Sequence, residues 1–151
     1  MLKLVGAFFL TWPASAFPEA AARPKNHRHT LRAFIDVLLP RDSYCGSASD
    51  FRVDRQLLVL ARDDKQFGKL LALGCQWLDM TGTVAFAELP AADKTTVVQW
   101  MADSDWNQIP RRFYELLRQT SVEAYYSDPR AWKGLALNAP PQPLGYPPPW
   151  Q

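Results

Sequence analysis

The sequence predicts an all-α protein, a small irregular bundle of about five helices with an extended proline-rich C-terminal arm. Three observations carry that prediction. Apolar residues recur at helical spacing in separate stretches, most clearly Phe67, Leu70, Leu71, Gly74, Cys75 and Leu78, which share one face of a 3.6-residue period. No stretch shows the alternation of β-branched residues, bounded by turn signals, that marks a strand. Six of the chain's 13 prolines lie between Pro140 and Pro149, and neither a helix nor a central strand tolerates that density, because each proline removes a backbone donor and fixes φ.

Taken in order, Met1 to Ala16 reads as a secretory signal. It has one cation at Lys3, an apolar run from Leu4 to Leu10, and the small-residue site Ala14-Ser15-Ala16. The run is too short to span a bilayer. A buried N-terminal strand or helix is the other reading of the same residues. Cleavage of a signal would place the chain in the periplasm or outside the cell. Residues 17–29 are polar, proline-interrupted and without period, so they read as a leader, with order expected to begin at Thr30.

Thr30 fits an N-cap for a first helix carrying Leu31, Phe34, Ile35, Leu38 and Leu39 on one face, and Pro40 stops it. Arg41 to Ser49 is a loop. A second helix is expected from about Asp50 to Arg62, with Leu57, Leu58, Leu60 and Ala61 as its apolar side. The third, around Phe67 to Leu78, has the strongest period and is expected to be central. Gly74 in its middle costs about 1 kcal/mol against alanine, which close approach of another helix would offset. Thr81-Gly82-Thr83 breaks the period, and Phe86 should fold back onto the core. Pro90 opens a fourth helix, Ala91 to about Met101, with Val97, Val98 and Met101 inward. Pro110 starts a fifth through Phe113, Leu116, Leu117, Thr120 and Ala124, ending near Tyr126 ahead of Asp128-Pro129. The helical domain therefore covers 30–137 and the arm 138–151, which at about 3.1 Å per residue would reach on the order of 40 Å.

Length and composition describe one domain with a sizeable core: 151 residues, 48% hydrophobic and 21% charged. A net charge of +2, with cations and acids interspersed, argues against a nucleic-acid role. Neither a GxGxxG nor a GxxxxGK[ST] loop occurs, so nucleotide binding by those routes has no support.

Candidate chemistry is thin, and no catalytic, cofactor-binding or metal-ligating residue is assigned. His27 and His29 form an HxH pair without a third ligand at useful spacing, and a solvated basic patch beside Lys25 and Arg28 is the simpler reading. Asp63, Asp64, Asp103 and Asp105 lie at helix ends, where caps are expected rather than acid and base pairs. Cys45 as a nucleophile would need a histidine contact that sequence cannot supply. Cys45 and Cys75, without CxxC spacing, are candidates for a disulfide if the chain is secreted, and two small buried thiols otherwise. Trp77 and Trp100 are assigned to the core. Large aromatics on irregular backbone are enriched where one protein grips another. Tyr126, Trp132, Tyr146 and Trp150, with Tyr125 and Leu144 beside them, are therefore the candidate partner-binding residues, and packing on the chain's own helices is the other reading.

The stretches Asp54-Arg55-Gln56-Leu57-Leu58, Gly74-Cys75-Gln76-Trp77-Leu78-Asp79 and Phe113-Tyr114-Glu115-Leu116-Leu117-Arg118 bear on identity. So, above all, does Tyr125-Tyr126-Ser127-Asp128-Pro129 followed by the run Pro140 to Pro147. Together they resemble the gluconate 2-dehydrogenase subunit 3 family over about residues 30–150. The resemblance implies a small subunit of a membrane-bound sugar or sugar-acid dehydrogenase, an oxidoreductase complex acting on CH-OH donors. In such a complex a large subunit carries FAD and oxidises the substrate, and a cytochrome c subunit with haem c passes electrons on. The small subunit is implied to hold no cofactor, to be non-catalytic by itself, and to support assembly, export or stability of the flavin subunit. Its location is implied to be the periplasm, within an inner-membrane-associated complex. Family members often carry a twin-arginine signal, whereas Met1 to Ala16 holds no arginine. Either the general secretory route or a start lying upstream is expected. The other functional reading is a free-standing secreted binding module whose arm packs on its own core.

Overall fold

Phe113 lies directly over Gly74, and this contact explains how the bundle closes. A Cβ at position 74 would stand 1.9 Å from the Phe113 ring, so only glycine lets the two helices approach this far. The computed structural model describes residues 24–135, and all statements below concern those residues. Five α-helices carry them: α1 Pro24–Leu38, α2 Val53–Asp63, α3 Lys65–Asp79, α4 Ala91–Asp103 and α5 Ile109–Tyr126. A 3-10 turn, Phe86–Glu88, precedes α4, and a longer 3-10 segment, Pro129–Leu135, follows α5. No strand occurs among the described residues. The all-α expectation stands, while the signal 1–16 and the arm 138–151 lie outside the described residues.

The core follows the apolar periods. Leu31, Phe34 and Ile35 of α1 meet Phe67, Leu71, Cys75 and Leu78 of α3, Val98 and Met101 of α4, and Phe113 and Leu117 of α5. Phe34 stands 5.0 Å from Phe113 and 6.5 Å from Phe86, centroid to centroid, in tilted pairs that suit the ring quadrupoles. Phe86 thus folds back as expected. Asp64 caps α3 by accepting from the backbone N–H groups of Gln66 and Phe67.

Four expectations change. Helix α1 begins at Pro24, six positions before Thr30, because proline suits a first helical turn whose N–H groups have no intrahelical acceptor. Thr30 is consequently inside the helix, buried, and not a cap. Helix α2 begins at Val53, released by Arg52 in the left-handed conformation at φ 60°, and its inward face is Val53, Asp54 and Leu57 while Leu60 is exposed. Helix α3 is not the single centre. Both α1 and α5 pack on all four other helices, and α3 packs on α1, α2 and α5. Trp77 and Trp100 stack on each other at 5.4 Å with an interplanar angle of 12°, joining α3 to α4 at the surface, and Trp100 remains 37% exposed.

Candidate partner-binding site

The Tyr125 to Pro129 segment does not project into solvent as a unit; it ties the end of α5 to the loop after α1 and starts the C-terminal 3-10 segment. Tyr125 is buried, its hydroxyl donates to the Gly46 carbonyl at 2.7 Å, and its ring meets Phe51 edge-on at 4.8 Å. Burial, reinforced by the Cys45 thiol, pushes the phenol up to about 12, so it remains a donor. Asp128 accepts from the Arg130 backbone N–H at 2.9 Å and holds the Arg130 guanidinium at 2.5 Å. Those hydrogen bonds hold its carboxyl down to about 2. The Arg130 guanidinium in turn covers the Phe51 ring at 5.0 Å. The Cys45 thiol donates to the Ala131 carbonyl at 3.4 Å, and Trp132 donates through Nε1 to the Tyr126 carbonyl at 2.8 Å. Between these parts lies a cleft of about 260 Å³, lined by Arg41, Tyr44, Cys45, Phe51, Arg130 and Lys133 among others.

A second polar brace sits at the other end of α1. Thr30 donates its hydroxyl to both carboxylate oxygens of Asp79 at 2.8 and 2.9 Å, and the Phe86 N–H donates to the same carboxylate at 3.2 Å. Asp54, with its side chain 3% exposed, takes Arg28 Nε at 3.1 Å. His27 stands beside Asp79, and burial lowers its pKa more than that carboxylate raises it. Among the described residues no three His, Cys, Asp or Glu side chains are grouped to hold a metal ion.

The partner-binding candidates separate. Tyr125 is a buried internal strut and not a surface anchor. Tyr126 is 39% exposed and Trp132 is half-buried at the same edge. Leu144, Tyr146 and Trp150 lie outside the described residues. The candidate pair Cys45 and Cys75 is not joined, and both thiols are free. Cys75 donates to the His27 carbonyl near the start of α1, and burial pushes its thiol far up. Cys45 sits in the loop joined to the end of α1 through Ala48 N–H and the Leu39 carbonyl. The two ends of α1 are separated by on the order of 20 Å, several times the reach of a disulfide.

No spacing rule assigns a role to Asp54 or Asp79. Their signal was an acid set into an apolar face, beside Val53 and Leu57 in one case and after Leu78 in the other.

Over the described residues, fold and site together define a small all-helical protein whose last segment, Pro129–Leu135, is held at an edge next to exposed aromatic and cationic side chains. It belongs to the gluconate 2-dehydrogenase subunit 3 family, whose model matches residues 25–141. The family name implies a small subunit of a gluconate 2-dehydrogenase complex, associated with the other subunits of that dehydrogenase. No curated protein and no solved structure matches the chain closely enough to add a second relative.

Proposed function

We propose that this chain is a non-catalytic small subunit that supports the assembly, export or stability of a periplasmic FAD-dependent sugar or sugar-acid dehydrogenase. In this reading the large subunit carries FAD, a cytochrome c subunit carries haem c, and this chain holds neither. Tyr126, Trp132 and the arm residues Leu144, Tyr146 and Trp150 grip the large subunit. The complex sits at the inner membrane, and this chain reaches it through its partners; no described helix is long and apolar enough to cross a membrane. The observation that supports the reading most is the family match, which spans the whole Tyr125 to Pro129 clamp and runs into the arm at residue 141. Fixing the departure point of a proline-rich arm lowers the ordering entropy that a partner must offset, which makes the clamp useful to a subunit.

Co-purification from native membranes tests it. The expected result is a stable complex of this chain with a flavin-bearing dehydrogenase, and a drop in assembled dehydrogenase when the chain is deleted. A chain that runs as a lone monomer, beside a dehydrogenase fully active without it, ends the proposal.

A further inference from the structure

Away from the clamp, α1 and α4 enclose a groove of about 690 Å³. Its floor is apolar and small: Ala33, Val37 and Pro40 on one side, Ala91 and Thr95 on the other. Short side chains on the first turns of α4 cannot reach across to α1, so a trough remains where larger residues would have closed it. Its rim carries the cations Arg32 and Lys94, with His29 beside them.

Against the two cations Arg32 and Lys94 the lining sets one carboxylate, Asp36, so the groove keeps a net positive charge. Thr95 turns its hydroxyl to its own helix, donating to the Ala91 carbonyl at 3.0 Å. Asp36, which also lines the groove, accepts from the Ser49 backbone N–H at 2.8 Å. Neither Arg32 nor Lys94 belongs to an ion pair among the described residues. Asp50 feels the charge of Arg32 but is held by Arg41 at 2.7 Å. What the groove offers is an apolar floor beneath a rim with more cations than carboxylates, and an occupant that brings both carboxylates and apolar side chains complements it.

We infer that the α1–α4 groove docks an acidic amphipathic segment of a partner polypeptide. Its apolar side lies on Ala33, Val37, Pro40 and Ala91, and its carboxylates meet Arg32 and Lys94. This rests on the reading of the chain as a subunit. The chain's own residues 136–151 are a poor match, because they contain no Asp or Glu. A second copy is no better, since pairing through the same patch would bring the cationic rims together.

The test uses the full chain and, as probe, a synthetic helical peptide of Glu and Leu with its leucines on one face. Resonance mapping is expected to show saturable, salt-sensitive shifts at Arg32, Val37, Ala91 and Thr95. The double variant R32E/K94E should bind roughly tenfold more weakly, while K69E, at an exposed position of α3, leaves binding unchanged. Equal weakening by K69E, or shifts centred on Trp77 and Trp100, would overturn the inference. So would groove shifts on deleting residues 136–151 without any peptide, which would make the arm the occupant, or on dilution, which would make it a second copy. In the native complex, R32E/K94E should co-purify less dehydrogenase than K69E does. If the unaltered chain captures no dehydrogenase, the functional proposal fails while the peptide titration still decides the groove.

Discussion

The Asp79 brace and the Asp128 clamp each organise a junction around one carboxylate, yet they act on different scales. Asp79 joins α3 to a buried Thr30 in α1, 49 positions away, and also receives the N–H of Phe86, so its bonds run between parts of the core. Among the described residues the Asp128 carboxylate bonds only to Arg130, two positions on, and the distant links of that region come from Tyr125 to Gly46 and from Cys45 to Ala131. The contrast separates two jobs. A carboxylate that satisfies groups inside the bundle controls whether the bundle folds, whereas one on the surface controls a local turn and whatever chain follows it.

Asp79→Ala should break this comparison most visibly. It removes the charged acceptor shared by the Thr30 hydroxyl and the Phe86 N–H, and a hydrogen bond to a charged group contributes about 1.5–3 kcal/mol. A loss of about 2–4 kcal/mol in urea unfolding is expected, with the slope unchanged. A loss below about 1 kcal/mol would mean that Asp79 does not hold α1, α3 and the 3-10 turn together.

Tyr125→Phe should have a smaller effect. The ring still packs on Phe51, and only the hydroxyl bond to Gly46 disappears, for about 1 kcal/mol. Amide exchange should accelerate across 129–135 while α1, α3 and α5 keep their protection. The phenol titrates at about 12 when folded and ordinarily at 10.0, so its contribution is complete below 10 and lost as pH rises through 12. The stability gap between wild type and Y125F should close over that window. Protection lost evenly through the bundle would show that clamp and core are one unit.

How much of this was legible in the sequence depends on the kind of force involved. Helix positions were readable because apolar spacing is local: Phe67, Leu71, Cys75 and Leu78 sit inward as their period requires, and Gly74 marks the Phe113 contact. The start of α1 was not, since residues 24–29 are polar and carry no period. That turn is held by partners far along the chain, Asp54 for Arg28 and Cys75 for the His27 carbonyl. Leu60 was misplaced inward because adjacent leucines leave the face of a helix ambiguous, and Asp54 rather than Leu60 points in. At the candidate site, burying Tyr125 depends on Gly46 and Phe51, which no spacing rule reveals. The separation of the two thiols was hidden for the same reason. Cysteine count says nothing about which end of α1 each thiol meets.

Asp128→Asn gives the smallest change and the sharpest view of the clamp's locality. The wild-type carboxyl is held at about 2, against 3.8 ordinarily, by bonds from the Arg130 side chain and backbone N–H. A depressed carboxyl stabilises its turn at pH above 3.8, and the contribution falls away as pH drops through about 2. Acid should therefore release the 3-10 segment Pro129–Leu135 over this window, seen as faster exchange at Arg130 and Ala131 and a changed Trp132 environment. Asn still accepts from the Arg130 N–H but loses the ion pair, so D128N should show little pH dependence there while its melting temperature near neutrality barely moves. If the subunit grips its partner through the chain beyond this turn, D128N should also weaken co-purification without unfolding the bundle. Asp79→Ala, by contrast, should lose both together.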